Sequence, residues 1–471
     1  MQRKRYLAKN TALFALNSIG TRLITFLLVP LYTKAFATEE YGSVDLVTTI
    51  ATILVPIITI NIGEAVMRFS LDEHAQTDKI VSVGLVFAIS SVIFGSISFV
   101  VLSFFPQITI RGWIVYLYCV LQGLYQTASC NLRGQEKLLQ YAIANIISSL
   151  LAAILNILFL IVFKLGINGY FLAYIISFCI SCVYCIIAGG LVKTLRRFSL
   201  DKALMKDMVK YSIVLVPNSL MWWIMNSSDH VMVTAMVGIS ANGIYAISYK
   251  VPSILSALST VFNQAWAYSA IHEDNSDDRV AFNNNMYDKL VRFLLIVSVM
   301  LMCIMKPFMK LYVDSAYYEA WMYTPYLLVG NFFLTMATFL STFYTVNKDS
   351  RGFLFSGLTG ALINIALNAL LIPIIGVHGA ALATCISYIC VFLYRIIDTQ
   401  KYMKVEVFRY PYLIGYLILI TTAFSMYVSG TLGQIIMIGE VSLILVLNNK
   451  FVRECLSMVN MITRKILHTD A

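Results

Sequence analysis

Arg22, Asp229 and Lys250 are charged residues set inside long apolar stretches of this 471-residue chain. A guanidinium with five donors suits bidentate binding of a phosphate or a carboxylate, so Arg22 is read first as an anion ligand and second as half of an internal ion pair. Asp229 and Lys250 each lie seven residues from the outer end of their apolar runs, a shared depth of about 10 Å at 1.5 Å per residue. Two readings stand. The pair neutralises itself, or Asp229 is a proton or sodium site whose ionisation is linked to substrate release from Lys250. Glu64 is a second ion-coupling candidate, though Arg68 four residues on makes it an interfacial pair near the inner surface. Asp45 lies near an outer end and is expected to need no partner. His230, beside Asp229, titrates near neutral pH in an ordinary setting.

Polar residues recur at helical spacing around these charges. One run carries Asn10, Asn17, Ser18, Thr21, Arg22 and Thr25; another carries Asn218, Trp222, Asn226 and Asp229. A third has Tyr245, Tyr249, Ser253, Ser256, Thr260 and Asn263, and a fourth Asn331, Thr335, Thr338, Thr342 and Thr345. Such stripes either line a hydrated cavity or hydrogen-bond one helix to the next. Where charges join the stripe, the cavity is the better reading. Arg22, Asn17, Asn218, Trp222, Tyr249, Lys250 and Asn263 are therefore the candidate substrate ligands, and Asp229 and Glu64 the candidate coupling residues. Trp222, Trp223 and Trp266 could stack on sugar rings or simply pack. Cys179, Cys182 and Cys185 have a tempting spacing but sit mid-run without a fourth ligand, so neither a metal nor any other cofactor is expected, and no catalytic residue.

The elements that hold these residues are apolar helices. Hydrophobic residues make up 59% of the chain and charged ones 12%, against about 25% charged in soluble domains, and the mean hydropathy is +0.79. An ordinary soluble enzyme is excluded. Runs of about 20 apolar residues fall near 11–33, 43–66, 80–105, 111–130, 140–163, 168–190, 211–236, 243–269, 290–313, 322–346, 353–375, 378–396, 411–428 and 431–448. This predicts an all-α polytopic membrane protein of fourteen crossings. With the N-terminus inside, 27 Lys and Arg residues fall on the cytoplasmic side and five outside, the latter being Lys34, Arg111, Lys164, Lys306 and Lys310. The positive-inside rule then puts both termini in the cytoplasm and accounts for the net charge of +10 without nucleic acid.

Gly166-Ile-Asn-Gly169-Tyr-Phe-Leu172-Ala173 returns as Gly376-Val-His-Gly379-Ala-Ala-Leu382-Ala383, each block following an asparagine, Asn156 or Asn368. Asn17-Ser18 and Gly42 likewise match Asn218-Ser219 and Gly243. Six helices look repeated in the next six. An even number of crossings makes the copies parallel, related by a pseudo-two-fold along the membrane normal. The expected organisation is an N-terminal lobe (1–190), a basic cytoplasmic linker (191–210), a C-terminal lobe (211–400), and two extra helices with a tail (401–471).

The N-terminal Asn17-x-x-x-x-Arg22 helix running into Val29-Pro30-Leu31-Tyr32, then Glu40-Tyr41-Gly42, and the later Gly243-Ile-Tyr245-Ala-Ile-Ser-Tyr249-Lys250 resemble one family. These features resemble Wzx-type flippases, of the polysaccharide transporter family in the multidrug/oligosaccharidyl-lipid/polysaccharide exporter superfamily. Where that family often has Asp-Arg at the end of the seventh helix, this chain has Asp229-His230. The resemblance implies a non-enzymatic, alternating-access flippase in the bacterial cytoplasmic membrane. Its cargo would be an undecaprenyl-pyrophosphate-linked oligosaccharide for capsule, O-antigen or exopolysaccharide assembly, and its partners the pathway's polymerase and glycosyltransferases. A lipid II flippase and a multidrug antiporter are the rival transporters. A polytopic glycosyltransferase or polymerase is the rival enzyme, disfavoured because no outer loop exceeds about 15 residues by these boundaries.

Overall fold

The computed structural model describes residues 19–72, 75–106, 108, 110–272 and 278–457. Among them every regular element is helical. Helical residues 19–27 lead into α1 (Val29–Ala35), α2 (Thr38–Ile58), α3 (Ile62–Ser70), α4 (Thr77–Phe94), α5 (Ile97–Ser103) and α6 (Gly112–Gly134). Then come α7 (Leu138–Ile157), extended by a π-helical turn at Leu158–Val162, α8 (Gly166–Ala188), α9 (Leu191–Arg196), α10 (Lys202–Met236), α11 (Ile239–Ser248) and α12 (Lys250–His272). The chain continues through α13 (Arg279–Tyr312), a 3-10 segment (Ser315–Met322), α14 (Thr324–Val346), α15 (Ser350–Ile375), α16 (Val377–Thr399), α17 (Tyr410–Ser425) and α18 (Gly430–Leu447). The expected apolar runs fall on these helices, the first only from residue 19. Among the described residues nine helices are long and apolar enough to cross a bilayer, and α17 is apolar but shorter.

Three expectations change in detail. The single run 43–66 is two helices, because Ile60 and Asn61 adopt φ of 51° and 54° and end α2. Asparagine tolerates that region and isoleucine does not, so the break is strained at Ile60. The run 243–269 is also two helices: Pro252 has no amide to bond the carbonyl of Ser248, and Tyr249 falls between α11 and α12. The basic segment 191–210 is largely helical. Asp201 accepts from the amides of Ala203 (3.0 Å) and Leu204 (3.2 Å) and so starts α10.

The described residues form two compact units. The first takes residues up to Val261, with Tyr312–Tyr318 and Ala361–Ala380. Its buried centre is α2, which packs on α10 and α11. At one end an aromatic cluster of Tyr32, Phe36, Tyr41 and Tyr170 stacks edge to face, and Tyr317 donates to the Phe36 carbonyl at 2.9 Å. Helix α6 is flanked by α4 and α8, which leaves an apolar crevice of about 160 Å³ lined by Gly84, Leu124, Thr127, Ala128, Asn131 and Cys182 among others.

The second unit comprises Phe262–Leu311, Glu319–Gly360 and the chain from Ala381. Its buried centre is α14, whose ends lie 212 residues from those of α6. Met336, Phe339, Leu340 and Phe343 on α14 are all at most 2% exposed. Trp266 stacks on Phe339 with centroids 4.4 Å apart. Large side chains fill the centre of this unit. Arg395 is buried in this unit, donating to the Ala337 carbonyl (2.8 Å) and to Ser356 Oγ (3.1 Å), with Phe353 below it.

Both copies of the glycine motif bend the chain alike. Gly166 and Gly376 have φ of 56° and 59° and open α8 and α16. Asn156 and Asn368, before them, are both fully buried with a side-chain oxygen that accepts no hydrogen bond from a described group.

Candidate functional site

In the first unit, α2, α10, α11 and the start of α12 bring most of the singled-out residues together. Arg22 is exposed, and its one hydrogen bond among the described residues runs 3.4 Å to the Ser253 carbonyl on α12. One turn earlier Lys250 holds its ammonium 5.9 Å from the centre of the Tyr41 ring. Neither cation makes an ion pair among the described residues. Two cations from different helices that reach neighbouring turns of α12, neither in an ion pair among the described residues, make an arrangement able to receive an anion.

Behind Lys250 lies a buried cluster. Asp229, 1% exposed, accepts from the hydroxyls of Tyr245 (2.7 Å) and Tyr249 and from the backbone amide of His230 (3.1 Å). The His230 ring lies against both tyrosines, with centroids 5.1 and 4.9 Å away. Its Nδ1 is 2.7 Å from Asp45 Oδ2, which also accepts from Asn242 Nδ2 at 3.1 Å. Two carboxylates and one imidazole share this space, with the Lys250 ammonium near them.

Three sequence expectations are corrected here. Lys250 and Asp229 make no ion pair with each other among the described residues: the Lys250 ammonium lies over Tyr41, and the hydroxyls of Tyr245 and Tyr249 donate to Asp229. Asp45 does have a partner, His230, with side-chain exposures of 13% and 9%. Glu64 likewise pairs with Arg133 at 3.5 Å rather than with Arg68, which pairs with Asp72 at 2.6 Å. Glu64 thereby ties α3 to α6, away from the cluster.

The remaining candidates are spread out. Asn218 and Trp222 are half-buried on α10, where Asn226 donates to the Trp222 carbonyl at 2.7 Å. Asn263 lies on the part of α12 that belongs to the second unit and has a buried Oδ1 that accepts no hydrogen bond from a described group. Asn17 falls outside the described residues. A polar strand continues from Asp229 along α10 and α15: Ser228 donates to Asn364 Oδ1 at 3.3 Å, and Asn368 donates to the same oxygen at 2.9 Å.

Helices α2 and α11 meet at glycines. A Cβ on Gly42 would stand 1.9 Å from the Ile239 carbonyl oxygen, and one on Gly243 would stand 2.0 Å from that of Thr38. Gly42 and Gly243 are 201 residues apart, as are Thr38 and Ile239, so the contact is reciprocal in the manner of a two-fold interface. Thr38 Oγ1 and Ser240 Oγ, 2.6 Å apart, and Asn242 Nδ2 to the Gly42 carbonyl, 3.3 Å, reinforce it. Further along, Trp223 Nε1 donates to the Thr49 carbonyl (2.8 Å) and Asn61 to Ser219 (3.0 Å). Asp45, His230 and Asn242 as a set were missed from sequence. The available signal was the glycine register, which puts Asp45 and Asn242 within three residues of an equivalent pair.

Solved structures share the fold at low identity. A structure described as lipid II flippase MurJ, inward closed conformation, aligns with a TM-score of 0.65 at 15% identity over 94% of this chain and 100% of its own. An inward-facing multidrug resistance MATE family transporter of the MOP superfamily gives 0.64 at 12% over 82% and 97%. A MOP superfamily transporter from Pyrococcus furiosus gives 0.57 at 14% over 89% and 97%. No curated protein sequence matches. The model of a family described as polysaccharide biosynthesis protein matches residues 7–268, more than half of the chain and all of the cluster above, and the chain belongs to that family.

Proposed function

We propose that this protein is a flippase that carries an undecaprenyl-pyrophosphate-linked oligosaccharide from the cytoplasmic to the outer leaflet of the bacterial cytoplasmic membrane, serving capsule, O-antigen or exopolysaccharide assembly. The observation that carries the reading is the pair Arg22 and Lys250, two cations on membrane-embedded helices that make no ion pair among the described residues. Bare hydrocarbon excludes a phosphorylated head group, and a cationic, hydrated face is the physical remedy. Arg22 takes the pyrophosphate or an acidic sugar, and Lys250 supports it. Asn17, Asn218, Trp222, Tyr249 and Asn263 supply hydrogen bonds and stacking faces to the glycan. Asp229 serves as the coupling carboxylate, with Glu64 a lesser candidate because Arg133 already engages it. Both termini lie in the cytoplasm, and the repeated six-helix lobes (1–190 and 211–400) rock about the bound head group. The chain does no chemistry on its cargo and works beside the pathway's polymerase and glycosyltransferases.

The test is mass spectrometry of lipid extracts from a deletion strain with the upstream transferases intact. Accumulated undecaprenyl-pyrophosphate oligosaccharide, cleared by the wild-type gene and not by Arg22→Ala, supports the reading and names the cargo. Accumulated lipid II moves the assignment to peptidoglycan. Accumulation of neither refutes both.

A further inference from the structure

The hydrogen-bonded seam between α2 and α10–α11 contains one titratable bridge. Thr38 with Ser240 and Gly42 with Gly243 are neutral contacts, whereas Asp45 with His230 is a carboxylate–imidazole contact of 2.7 Å between segments 185 residues apart. All three sit at the end of the helices that the Lys and Arg distribution places outside. We propose that Asp45 and His230 form a proton-binding clasp that holds the outer end of this seam shut when His230 is protonated and releases it when His230 loses its proton. The inference rests on the transport reading for its place in a cycle, and on geometry for its existence.

Every ionisable group facing His230 bears on the argument. Asp45 approaches from α2, Asp229 is its neighbour on α10, Tyr245 and Tyr249 flank the ring, and Lys250 comes from α12. Burial is the largest influence and opposes the imidazolium, Asp45 and then Asp229 favour it, and Lys250 opposes it. Asn242 holds Asp45 in place by donating to the same oxygen that meets His230, which aims the carboxylate at the ring. If α2 parts from α10, the imidazolium loses Asp45 and keeps Lys250. The closed seam therefore binds the proton more tightly than the open one, and by linkage protonation favours closure. The sign follows: the clasp is fully engaged below the open-state pKa, and its contribution disappears as pH rises through the closed-state value. Each unit of difference between those two values is worth about tenfold in the opening equilibrium.

The experiment is pulsed electron–electron spin-resonance distance measurement on the full chain, in nanodiscs and without substrate. Spin labels are placed at Glu39→Cys and Met236→Cys in a chain whose native cysteines are replaced; both positions are exposed. A longer-distance population that rises at least about threefold from pH 5.5 to pH 8.5 is expected for the parent. Asp45→Asn and His230→Gln are expected to give pH-flat distributions. His230→Arg, always charged, is expected to stay short at both pH values, which separates loss of the clasp from loss of the fold. A pH-flat parent, or an unchanged pH step in His230→Gln, overturns the clasp. The readout needs no cargo: a pH step here together with no lipid accumulation in the deletion strain would keep the clasp and remove the flippase.

Discussion

Replacing Gly42 by alanine tests the seam most directly. The new Cβ would lie 1.9 Å from the Ile239 carbonyl oxygen and 2.9 Å from its carbon, closer than the 3.0 Å that real Cβ atoms respect. The obstacle is backbone on a second helix, so no side chain can swing aside; α2 and α11 must separate by about 1 Å at the crossing. Overpacking of this kind costs about 3 kcal/mol, and the cost falls only on the state in which the helices touch. The closed-to-open equilibrium should therefore move by roughly 150-fold toward open. The assay is the Glu39–Met236 spin-label distance at pH 5.5, read beside the thermal midpoint in detergent. Gly439→Ala, where nothing lies within 4 Å of the new Cβ, is the control and should match or slightly exceed the parent in stability. Gly243→Ala should repeat the Gly42 result. The double variant should cost less than the two singles together, because one displacement relieves both clashes. Parent-like distances and melting for Gly42→Ala would refute the assigned crossing.

Other expectations follow from particular contacts. Arg22→Ala should weaken cargo binding by about 10- to 150-fold, the worth of a charge-assisted hydrogen bond of about 1.5–3 kcal/mol, while Arg22→Lys retains part; binding of a water-soluble polyprenyl-pyrophosphate analogue reads it. Arg395→Ala should cost about 3 kcal/mol or more, since it empties a buried site and strips the Ala337 carbonyl and Ser356 of their donor, and Arg395→Met should cost less in the same thermal melt. The amide of Leu204, then Lys79, then the amide of Ala203 hold the Asp201 carboxyl below its ordinary value. That contribution is present above the unfolded pKa of about 3.9 and is lost as pH falls through the lower folded value. In hydrogen exchange at neutral pH, Asp201→Ala should expose the amides of Ala203 and Leu204, and Asp201→Asn should protect them.

The helices were legible in the sequence because each apolar run is long and its punctuation local. Pro252 and the Asn61 region show why the boundaries were less so: a proline or a left-handed residue divides a run without lowering its hydropathy. The charged residues behaved differently. Arg22 and Lys250 were recognisable because a cation in hydrocarbon stands out alone. Their partners were not, because pairing by helical depth ignores azimuth: Asp229 and Lys250 share a depth and face different neighbours. Glu64 shows the same error at shorter range, its i,i+4 arginine losing to Arg133 on another helix. Asp45 and His230 are 185 residues apart, and only a helix crossing brings them within hydrogen-bonding distance.

The reciprocal glycine contact is two-fold in its geometry and not in its chemistry: Gly42 meets Ile239 as Gly243 meets Thr38. Applying the 201-residue offset to the Asp45–His230 pair gives Ala246 and Val29, both buried and apolar. The symmetric contact thus carries charge on one side only. The glycines keep the two-fold, and Asp45 with His230 breaks it.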